Sequence, residues 1–317
     1  GDVALPEQGR IAVFAPRAGV DLSAFPSERF HVFNGFKPDH DHFAGLGYEC
    51  GVMPEGRFNL ALVCLPRAKP LARALVARAC AVTDGAVVVD GAKTDGVESL
   101  LKAVRARAEV SPPLSKAHGK LFSFAADADT FADWADAPRR IDGGFVTRAG
   151  VFSADGIDPG SRLLADHLPA YLGAAVADLG GGWGYLAARA LERDSIEVLH
   201  LVEADHAALD CAHENVPDAR LRLYWDDVSR WHPAEALDTV IMNPPFHTDR
   251  TADPALGRAF VAAAAQMLKP GGRLWLVANR HLPYETSLAQ LFAETGEVAG
   301  DSRFKVLHAA RPLRRKH

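Results

Sequence analysis

The segment Val240-Ile241-Met242, followed by Asn243-Pro244-Pro245-Phe246, constrains the fold of this chain more than any other stretch. Its apolar run predicts a buried strand, and the two prolines end that strand because they donate no ladder hydrogen bond. Asn243 is therefore expected at the carboxyl end of a strand. Open α/β sheets bind their ligands at that edge.

The four residues Asn243, Pro244, Pro245 and Phe246 are predicted to be catalytic, because together they suit methylation of an amine on a base. The lone pair of such an amine is delocalised into the ring, so the nitrogen needs acceptors for its N–H groups before it can pyramidalise. The Asn243 side-chain carbonyl and the Pro244 backbone carbonyl can be those acceptors. Pro245 stiffens the turn, and Phe246 offers a flat face for stacking on a base. The alternative is a plain strand and turn, with Phe246 packed in the core.

A second motif, in which a strand runs into a glycine-rich turn and then a helix, predicts a cofactor site. The strand is Ala174–Leu179, and the residues that matter in and after it are Asp178, Gly180, Gly182 and Gly184. Glycines let the backbone approach a ligand closely, and the N-terminus of a helix favours anions. A dinucleotide fingerprint beginning at Gly180 would need a glycine where Tyr185 stands, so the spacing disfavours a dinucleotide site.

Three acidic residues follow the next two predicted strands. Glu203 ends the first of them, and an acid about 20 residues beyond the glycines is placed to bind ribose hydroxyls. Asp226 and Asp227 end the second, where a carboxylate can accept from an adenine amine, and Asp227 is the preferred of the two. The alternative for Asp226 and Asp227 is that either is simply a solvated acid in a turn.

Two helix starts in this half are predicted from capping residues. Ser161 is expected to cap a helix that runs to Leu172, and Asp205 a helix over Ala207–Asn215.

The first half of the chain alternates predicted strands and helices, as α/β proteins do, but has no glycine-rich cofactor loop. Its segment Asn59–Arg67 resembles Leu237–Pro245, and in each case a helix and a second strand follow. The chain therefore resembles a diverged tandem duplication, in which Leu65 occupies the position of Asn243. We expect residues 1–142 to serve support or substrate binding and residues 143–317 to be catalytic. The alternative is that any two α/β units look alike.

Composition excludes several classes of protein. The 317 residues are 48% hydrophobic, enough for two domains with sizeable cores. A formal charge of −5 argues against a non-specific nucleic-acid binder. The scattered cysteines (Cys50, Cys64, Cys80 and Cys211) disfavour disulfide and metal frameworks. Without a membrane-length apolar run or a signal pattern at the N-terminus, we expect a cytoplasmic protein.

These features together resemble the bacterial ribosomal RNA guanine-N2 methyltransferases, comprising the small-subunit guanine-1207 enzyme and its large-subunit relative, which are class I S-adenosylmethionine methyltransferases. The resemblance covers most of residues 145–310 and is weaker in the first half. The segments that carry it are Gly150-Val151-Phe152-Ser153, Asp158 with Gly160-Ser161, Asp178-Leu179-Gly180, Asn243-Pro244-Pro245-Phe246-His247, Val277-Ala278-Asn279 with Leu282-Pro283-Tyr284, and Arg303-Phe304-Lys305-Val306.

The resemblance implies an α/β fold of two tandem Rossmann-like methyltransferase domains, the N-terminal one degenerate. It implies methylation of the exocyclic N2 amine of a guanine in ribosomal RNA, with the base flipped or unpaired. The partner would be ribosomal RNA or a ribosomal subunit, and we expect a monomer without metal or membrane association. The residues then expected to bind S-adenosylmethionine are Phe152, Ser161, Asp178, Gly180, Gly182, Gly184, Glu203, Asp226, Asp227 and Asn243.

Three alternatives differ in what they predict. A protein-glutamine methyltransferase uses a similar tetrad, but predicts a helical N-terminal domain and a tyrosine in place of Phe246. An adenine-amine DNA methyltransferase favours tyrosine or tryptophan there and adds a target-recognition domain. A non-catalytic RNA-binding or assembly factor predicts loss of the glycine turn or of the tetrad, and both are intact in this sequence.

Overall fold

The computed structural model describes residues 5–23, 26–245 and 254–314. The chain divides into two compact units. The N-terminal unit extends to Pro138 and includes Arg148–Gly150, while the C-terminal unit comprises Arg139–Thr147 and the chain from Val151 onward. Phe246 and His247 lie outside the described residues.

The N-terminal unit is a mixed seven-stranded sheet with helices. Its strands are β1 Ile11–Phe14, β2 Phe30–Phe33, β3 Glu49–Gly51, β4 Phe58–Cys64, β5 Thr83–Ala92, β6 Leu114–Lys116 and β7 Gly119–Ala125. Its α-helices are α1 Lys37–Gly45, α2 Lys69–Val82 and α3 Val97–Arg105. The strand order is β3-β2-β1-β4-β5-β7-β6, and β7 runs antiparallel to β5 and β6. This unit is therefore not the helical N-terminal domain that the protein-glutamine methyltransferase alternative predicts.

The C-terminal unit opens with a two-stranded ribbon, β8 Arg139–Arg140 and β9 Val146–Thr147. The strands of its main sheet are β10 Ala175–Leu179, β11 Val198–Glu203, β12 Leu221–Trp225, β13 Leu237–Met242, β14 Leu268–Asn279, β15 Phe292–Gly300 and β16 Phe304–Pro312. Its helices are α4 Pro159–His167, α5 Tyr185–Ala190, α6 His206–Asn215, α7 Pro254–Met267 and α8 Tyr284–Leu291. The strand order is β12-β11-β10-β13-β14-β16-β15, with β16 antiparallel to β14 and β15.

The two main sheets have the same strand order when their strands are numbered within each unit. In this order β4 and β13 are equivalent, as the sequence comparison of residues 59–67 with 237–245 predicts. Leu65 directly follows β4, and Asn243 directly follows β13. The expected equivalence of these two positions is therefore confirmed, and so are two tandem Rossmann-like units.

Burial on both faces explains why the central strand β10 reads as a nearly continuous apolar run. Ala177 and Leu179 pack into a core on one face of the sheet, and Val176 into a separate core on the other. Strand β13 pairs with β10 in parallel, with Asp178 opposite Ile241. The glycine turn after β10 and Asn243 after β13 therefore leave the sheet at the same edge.

Helix α4 differs from its prediction at both ends. Its N-cap is Asp158 rather than Ser161, and the Asp158 carboxylate accepts a hydrogen bond from the Ser161 amide. Proline suits the first helical turn, which favours a cap just before Pro159. The helix ends at His167 instead of Leu172, because Pro169 disfavours helical backbone at the residue that precedes it. The predicted cap of α6 by Asp205 is confirmed, since its side chain accepts from the Ala207 amide.

Candidate active site

A pocket of about 390 Å³, part of it open to solvent, lies in the C-terminal unit at the carboxyl ends of β10 and β13. Its walls come from the glycine turn, the loop before α4, the first turn of α4, the start of α5, and Asn243. The lining residues are Phe152, Ser153, Asp158, Ser161, Gly180, Gly181, Gly182, Trp183, Tyr185, Leu186 and Asn243. Of the residues expected to bind the cofactor, the pocket thus collects Phe152, Ser161, Gly180, Gly182 and Asn243.

The glycine turn is formed by backbone that other residues rarely adopt. Gly180, Gly182 and Gly184 have φ of 70°, 55° and 91°, in the left-handed region that favours glycine. Apart from its two chain neighbours, no described residue has an atom within 4 Å of a Cβ built on Gly182, although Gly182 lines the pocket. A side chain there would therefore project into the pocket, so the turn leaves room for a ligand against its backbone.

Asp178 is fully buried directly before this turn and does not itself line the pocket. Neither of its carboxylate oxygens has a hydrogen-bond partner among the described residues. Burial, and then the charge of nearby Glu203, raise the pKa of Asp178 to about 8, against the opposing influence of the Ala187 backbone amide. A buried carboxyl group without a partner is costly, and this one is suited to a cationic or hydrogen-bond-donating ligand.

Glu203 holds the glycine turn in place. Its Oε2 accepts from the Gly182 amide at 2.8 Å, and its Oε1 accepts from the Asp205 amide at 2.8 Å. Burial raises the pKa of Glu203, and the two backbone hydrogen bonds act in the opposite direction. Each carboxylate oxygen can accept more than one hydrogen bond. The side chain can therefore support the turn and still accept from a ligand hydroxyl.

Asp226 and Asp227 are placed by their own turn. The Asp226 Oδ1 accepts from the Asp227 amide at 2.8 Å, and the Asp227 Oδ1 accepts from the Ser229 amide at 2.8 Å. The Asp226 amide donates to the Glu203 carbonyl at 3.1 Å, which holds this turn beside the end of β11. Neither aspartate lines the pocket. The pocket thus does not distinguish between the two candidates.

The side-chain amide of Asn243 is anchored at one end. Its Nδ2 donates to Asp158 Oδ2 at 3.0 Å and to Ser161 Oγ at 2.9 Å. No hydrogen bond joins its Oδ1 to another described residue. Pro244 is buried and Pro245 half-buried in the two positions that follow. Phe246, the predicted stacking residue, lies outside the described residues.

Asp158 is a site residue to which sequence reasoning assigned no role, although it belongs to the segment that carries the family resemblance. Its Oδ2 accepts both the Ser161 amide, at 2.7 Å, and the Asn243 amide. The signal that could have identified it is the pair Asp158-Pro159, because an aspartate before a proline at the first helical position is a strong N-cap pattern.

The loop before α4 presents Phe152 to the pocket. The Phe152 side chain is 56% exposed, and its carbonyl accepts from the Trp183 indole Nε1 at 2.9 Å. Ser153 has φ of 53°, and its hydroxyl donates to the Gly156 carbonyl at 2.8 Å. Trp183 thus ties this loop to the glycine turn, and Phe152 is left free to cover a flat ligand.

Two features are absent from the described part of the chain. Residues 5–23, 26–245 and 254–314 contain no group of three or more His, Cys, Asp or Glu side chains that could hold a metal ion. Over the same residues, no helix combines the length and the apolar character that crossing a bilayer requires.

Comparisons with known proteins point to methyl transfer. The family model described as "Methyltransferase small domain" matches residues 142–308. A protein of Streptomyces avermitilis named "Ribosomal RNA large subunit methyltransferase G" is 37% identical over 171 residues, which are 52% of this chain and 45% of that protein. A protein of Shewanella oneidensis named "Ribosomal RNA small subunit methyltransferase C" is 30% identical over 266 residues, 80% of this chain and 78% of that protein.

The chain spans about half the length of the large-subunit relatives that it matches. Among solved structures, the fold is similar to that of the T. Thermophilus 16S rRNA N2 G1207 methyltransferase in complex with AdoMet and guanosine, with a TM-score of 0.78 and 23% identity. That match covers 97% of this chain and 90% of the other, so the likeness in fold extends over both units.

Proposed function

The chain belongs to the methyltransferase small domain family, and from that premise we propose that it transfers a methyl group from S-adenosylmethionine to the exocyclic N2 amine of a guanine in ribosomal RNA. The substrate class is taken from the relatives, whose names specify ribosomal RNA methylation. The small-subunit relative is matched over most of its length.

The observation that carries the proposal is the orientation of Asn243 in the pocket. Its NH₂ group is bound to Asp158 and Ser161, and its Oδ1 atom is the end that has no partner among the described residues. A carbonyl oxygen can accept a hydrogen bond but cannot donate one. The site is therefore suited to a substrate that presents an N–H group, as the guanine N2 amine does.

The residues present fit S-adenosylmethionine. The open space over the Gly182 Cα allows the backbone to approach the cofactor, and the partnerless carboxyl of Asp178 is suited to the cationic end of its methionine part. Gly180, Gly184 and Glu203 would shape and support this cofactor-binding surface. Glu203 could also accept hydrogen bonds from the ribose hydroxyls. Phe152, Ser161 and an acid from the pair Asp226 and Asp227 would complete this surface.

In the proposed mechanism the protein contributes positioning and electrostatics. S-Adenosylmethionine supplies an electrophilic methyl group on a sulfonium. Asn243 Oδ1 and the Pro244 carbonyl accept from the two N–H groups of the amine, so that its lone pair turns towards the methyl carbon. Pro245 holds the turn, and Phe246 stacks on the base. The sulfonium sulfur would leave as a neutral thioether when its bond to the methyl carbon breaks. The methylated nitrogen then loses one proton to water, so no residue is required as a general base.

The remaining parts of the proposal concern the whole protein. Residues 143–317 form the catalytic domain, and residues 1–142 support it or bind RNA, since Leu65 stands where the amine acceptor would be. The protein acts in the cytoplasm as a monomer on ribosomal RNA or a ribosomal subunit.

The proposal is tested by incubating the protein with methyl-labelled S-adenosylmethionine and, separately, ribosomal RNA and both purified ribosomal subunits. Mass spectrometry of nuclease digests then identifies the modified nucleoside. We expect N2-methylguanosine from one of the substrates, and far less of it when Asn243→Ala is used. Methylated adenosine, or methylated glutamine in ribosomal protein, would show that the same site serves a different amine or amide.

A further inference from the structure

The hydrogen bonds around Asn243 fix which way its amide faces. A carboxylate only accepts hydrogen bonds, so the amide end that faces Asp158 Oδ2 at 3.0 Å must be the NH₂. The Ser161 hydroxyl accepts from the same nitrogen at 2.9 Å. Both N–H groups of Asn243 are thus used inside the protein. In the opposite orientation Asn243 Oδ1 would face Asp158 Oδ2. Two hydrogen-bond acceptors would then face each other with no hydrogen between them, which is unfavourable.

We propose that Asp158 is a positioning residue, which acts through Asn243 and makes the site selective for substrates that present an N–H donor. This inference rests on the proposed function, because it explains how the Asn243 carbonyl comes to face the amine. Ser161, whose hydroxyl accepts from the same nitrogen, forms with Asp158 a clamp on the Asn243 amide. Helix α4 supplies both acceptors at its first turn, which also forms a wall of the pocket.

Capping alone does not require an aspartate at this position. Asn and Ser are about as good at a helix N-cap as Asp, so the Ser161 amide could be bound equally well by either. Neither is an acceptor only: a hydroxyl or an amide can also donate, and would then permit the inverted amide of Asn243. The carboxylate of Asp158 is the group that forbids that inversion, since its Oδ2 is shared by the Ser161 and Asn243 nitrogens.

An exchange of donor and acceptor tests this directly. In Asn243→Asp, two carboxylates oppose each other, and we expect kcat at pH 8 to fall at least 100-fold and to recover partly as the pH is lowered. In the double variant Asp158→Asn/Asn243→Asp, the amide at position 158 donates to the carboxylate at position 243, whose other oxygen accepts from the substrate. We expect kcat at least tenfold above that of Asn243→Asp.

A merely structural role for Asp158 predicts otherwise. If Asp158 only caps α4, the double variant is no more active than Asn243→Asp, although both variants fold and bind S-adenosylmethionine. That result overturns the proposal. The matched control is Asp238→Asn, the same chemical change at the start of β13, at the opposite end of the strand from Asn243, where the carboxylate pairs with Lys269. We expect this variant to keep the wild-type kcat and KM.

A readout without catalysis separates failure of this inference from failure of the proposed function. In ¹⁵N-labelled protein, the side-chain NH₂ resonances of Asn243 should shift in Asp158→Ser/Ser161→Ala and stay in place in Asp238→Asn. Unchanged resonances in the first variant refute the clamp. If the wild-type protein methylates no guanine, the proposed function fails, while the resonances still decide whether Asp158 and Ser161 orient the amide.

Discussion

The Oδ2 atom of Asp158 lies 3.0 Å from the Nδ2 atom of Asn243, although the two residues are 85 positions apart in the sequence. One belongs to the N-cap of α4 and the other to the carboxyl end of β13, so the fold brings them together. The contact decides which atom of Asn243 is offered to a substrate. It also makes the acceptor sensitive to changes in a helix that is not itself part of the sheet.

Asn243→Ala should abolish most of the methyl transfer and leave cofactor binding nearly unchanged. The change removes the acceptor for an amine hydrogen, and the loss of one hydrogen bond aimed at the reacting group costs about 100-fold or more in kcat. Single-turnover rates with labelled S-adenosylmethionine measure the first effect and calorimetry the second. Asp238→Asn serves as the control. Normal turnover in Asn243→Ala would mean that the amine is held by other groups.

Gly182→Ala should weaken cofactor binding, because the added Cβ projects into the pocket. Gly144→Ala is a matched control: its φ is 81°, its Cβ would also have open space among the described residues, and Gly144 does not line the pocket. Both variants should lose about 1–2 kcal/mol of stability from left-handed backbone. Only Gly182→Ala should raise the Kd for S-adenosylmethionine, by about tenfold. Thermal-shift titrations and calorimetry measure these Kd values. Equal values for Gly182→Ala and Gly144→Ala would contradict the proposal that the cofactor binds against Gly182.

The buried carboxyl of Asp178 should make the stability of the C-terminal unit fall as the pH rises from about 4 to 8. Its pKa is about 8 when folded and 3.8 ordinarily, so in this window the folded state holds a proton that the unfolded chain has released. The loss is up to about 1.4 kcal/mol per pH unit. Asp178→Asn should flatten this slope. Urea unfolding followed by tryptophan fluorescence is suitable, since four of the five tryptophans, Trp183, Trp225, Trp231 and Trp275, lie in this unit.

The same carboxyl should couple cofactor binding to pH. A cation favours the ionised carboxylate, so S-adenosylmethionine should bind more tightly as the pH rises towards about 8 and should release a proton when it binds at pH 7. Calorimetry in buffers of different ionisation enthalpy measures the proton count. In Asp178→Asn the release should be smaller. A proton count at pH 7 that is the same in wild type and variant would show that Asp178 does not sense the ligand.

Leu65→Ala should destabilise the N-terminal unit without a direct effect on the pocket. Leu65 is 5% exposed and packs in the core of that unit, so the substitution should cost about 2–4 kcal/mol. The control Leu114→Ala removes a side chain that is 55% exposed and should cost less than about 0.5 kcal/mol. Hydrogen exchange of residues 58–65 measures the difference. Faster exchange in the control than in Leu65→Ala would contradict this core assignment.

Local sequence pattern is sufficient to predict those parts of the fold in which a segment determines its own structure. The apolar runs at β10 and β13 predict buried parallel strands, and the breakers after them predict where those strands end. The shared edge of the sheet then follows from general rules for α/β proteins. The sequence alone therefore predicts that Asn243 and the glycine turn lie at the same edge of the sheet.

The elements that were missed have weak local signals. Strand β15 lies at the edge of its sheet with most of its residues exposed, so it lacks the apolar alternation that marks a strand. Helix α1 buries only Phe43. The partnership of Asp158 with Asn243 depends on a contact between distant segments, which no periodicity within either segment encodes. Ser161 was expected to cap α4, and its hydroxyl instead accepts from Asn243.

The N-cap and first turn of α4 line the pocket together with the glycine turn, and they also bind the Asn243 side chain. A displacement of this helix would therefore move the pocket wall proposed to bind the methyl donor and the Asn243 side chain proposed to bind the amine at the same time. Under the proposed function, a redesign for another base would have to preserve the register of α4, because the same turn serves both the cofactor and the substrate. Under the proposed function, selectivity and donor binding therefore both depend on the N-cap and first turn of one helix.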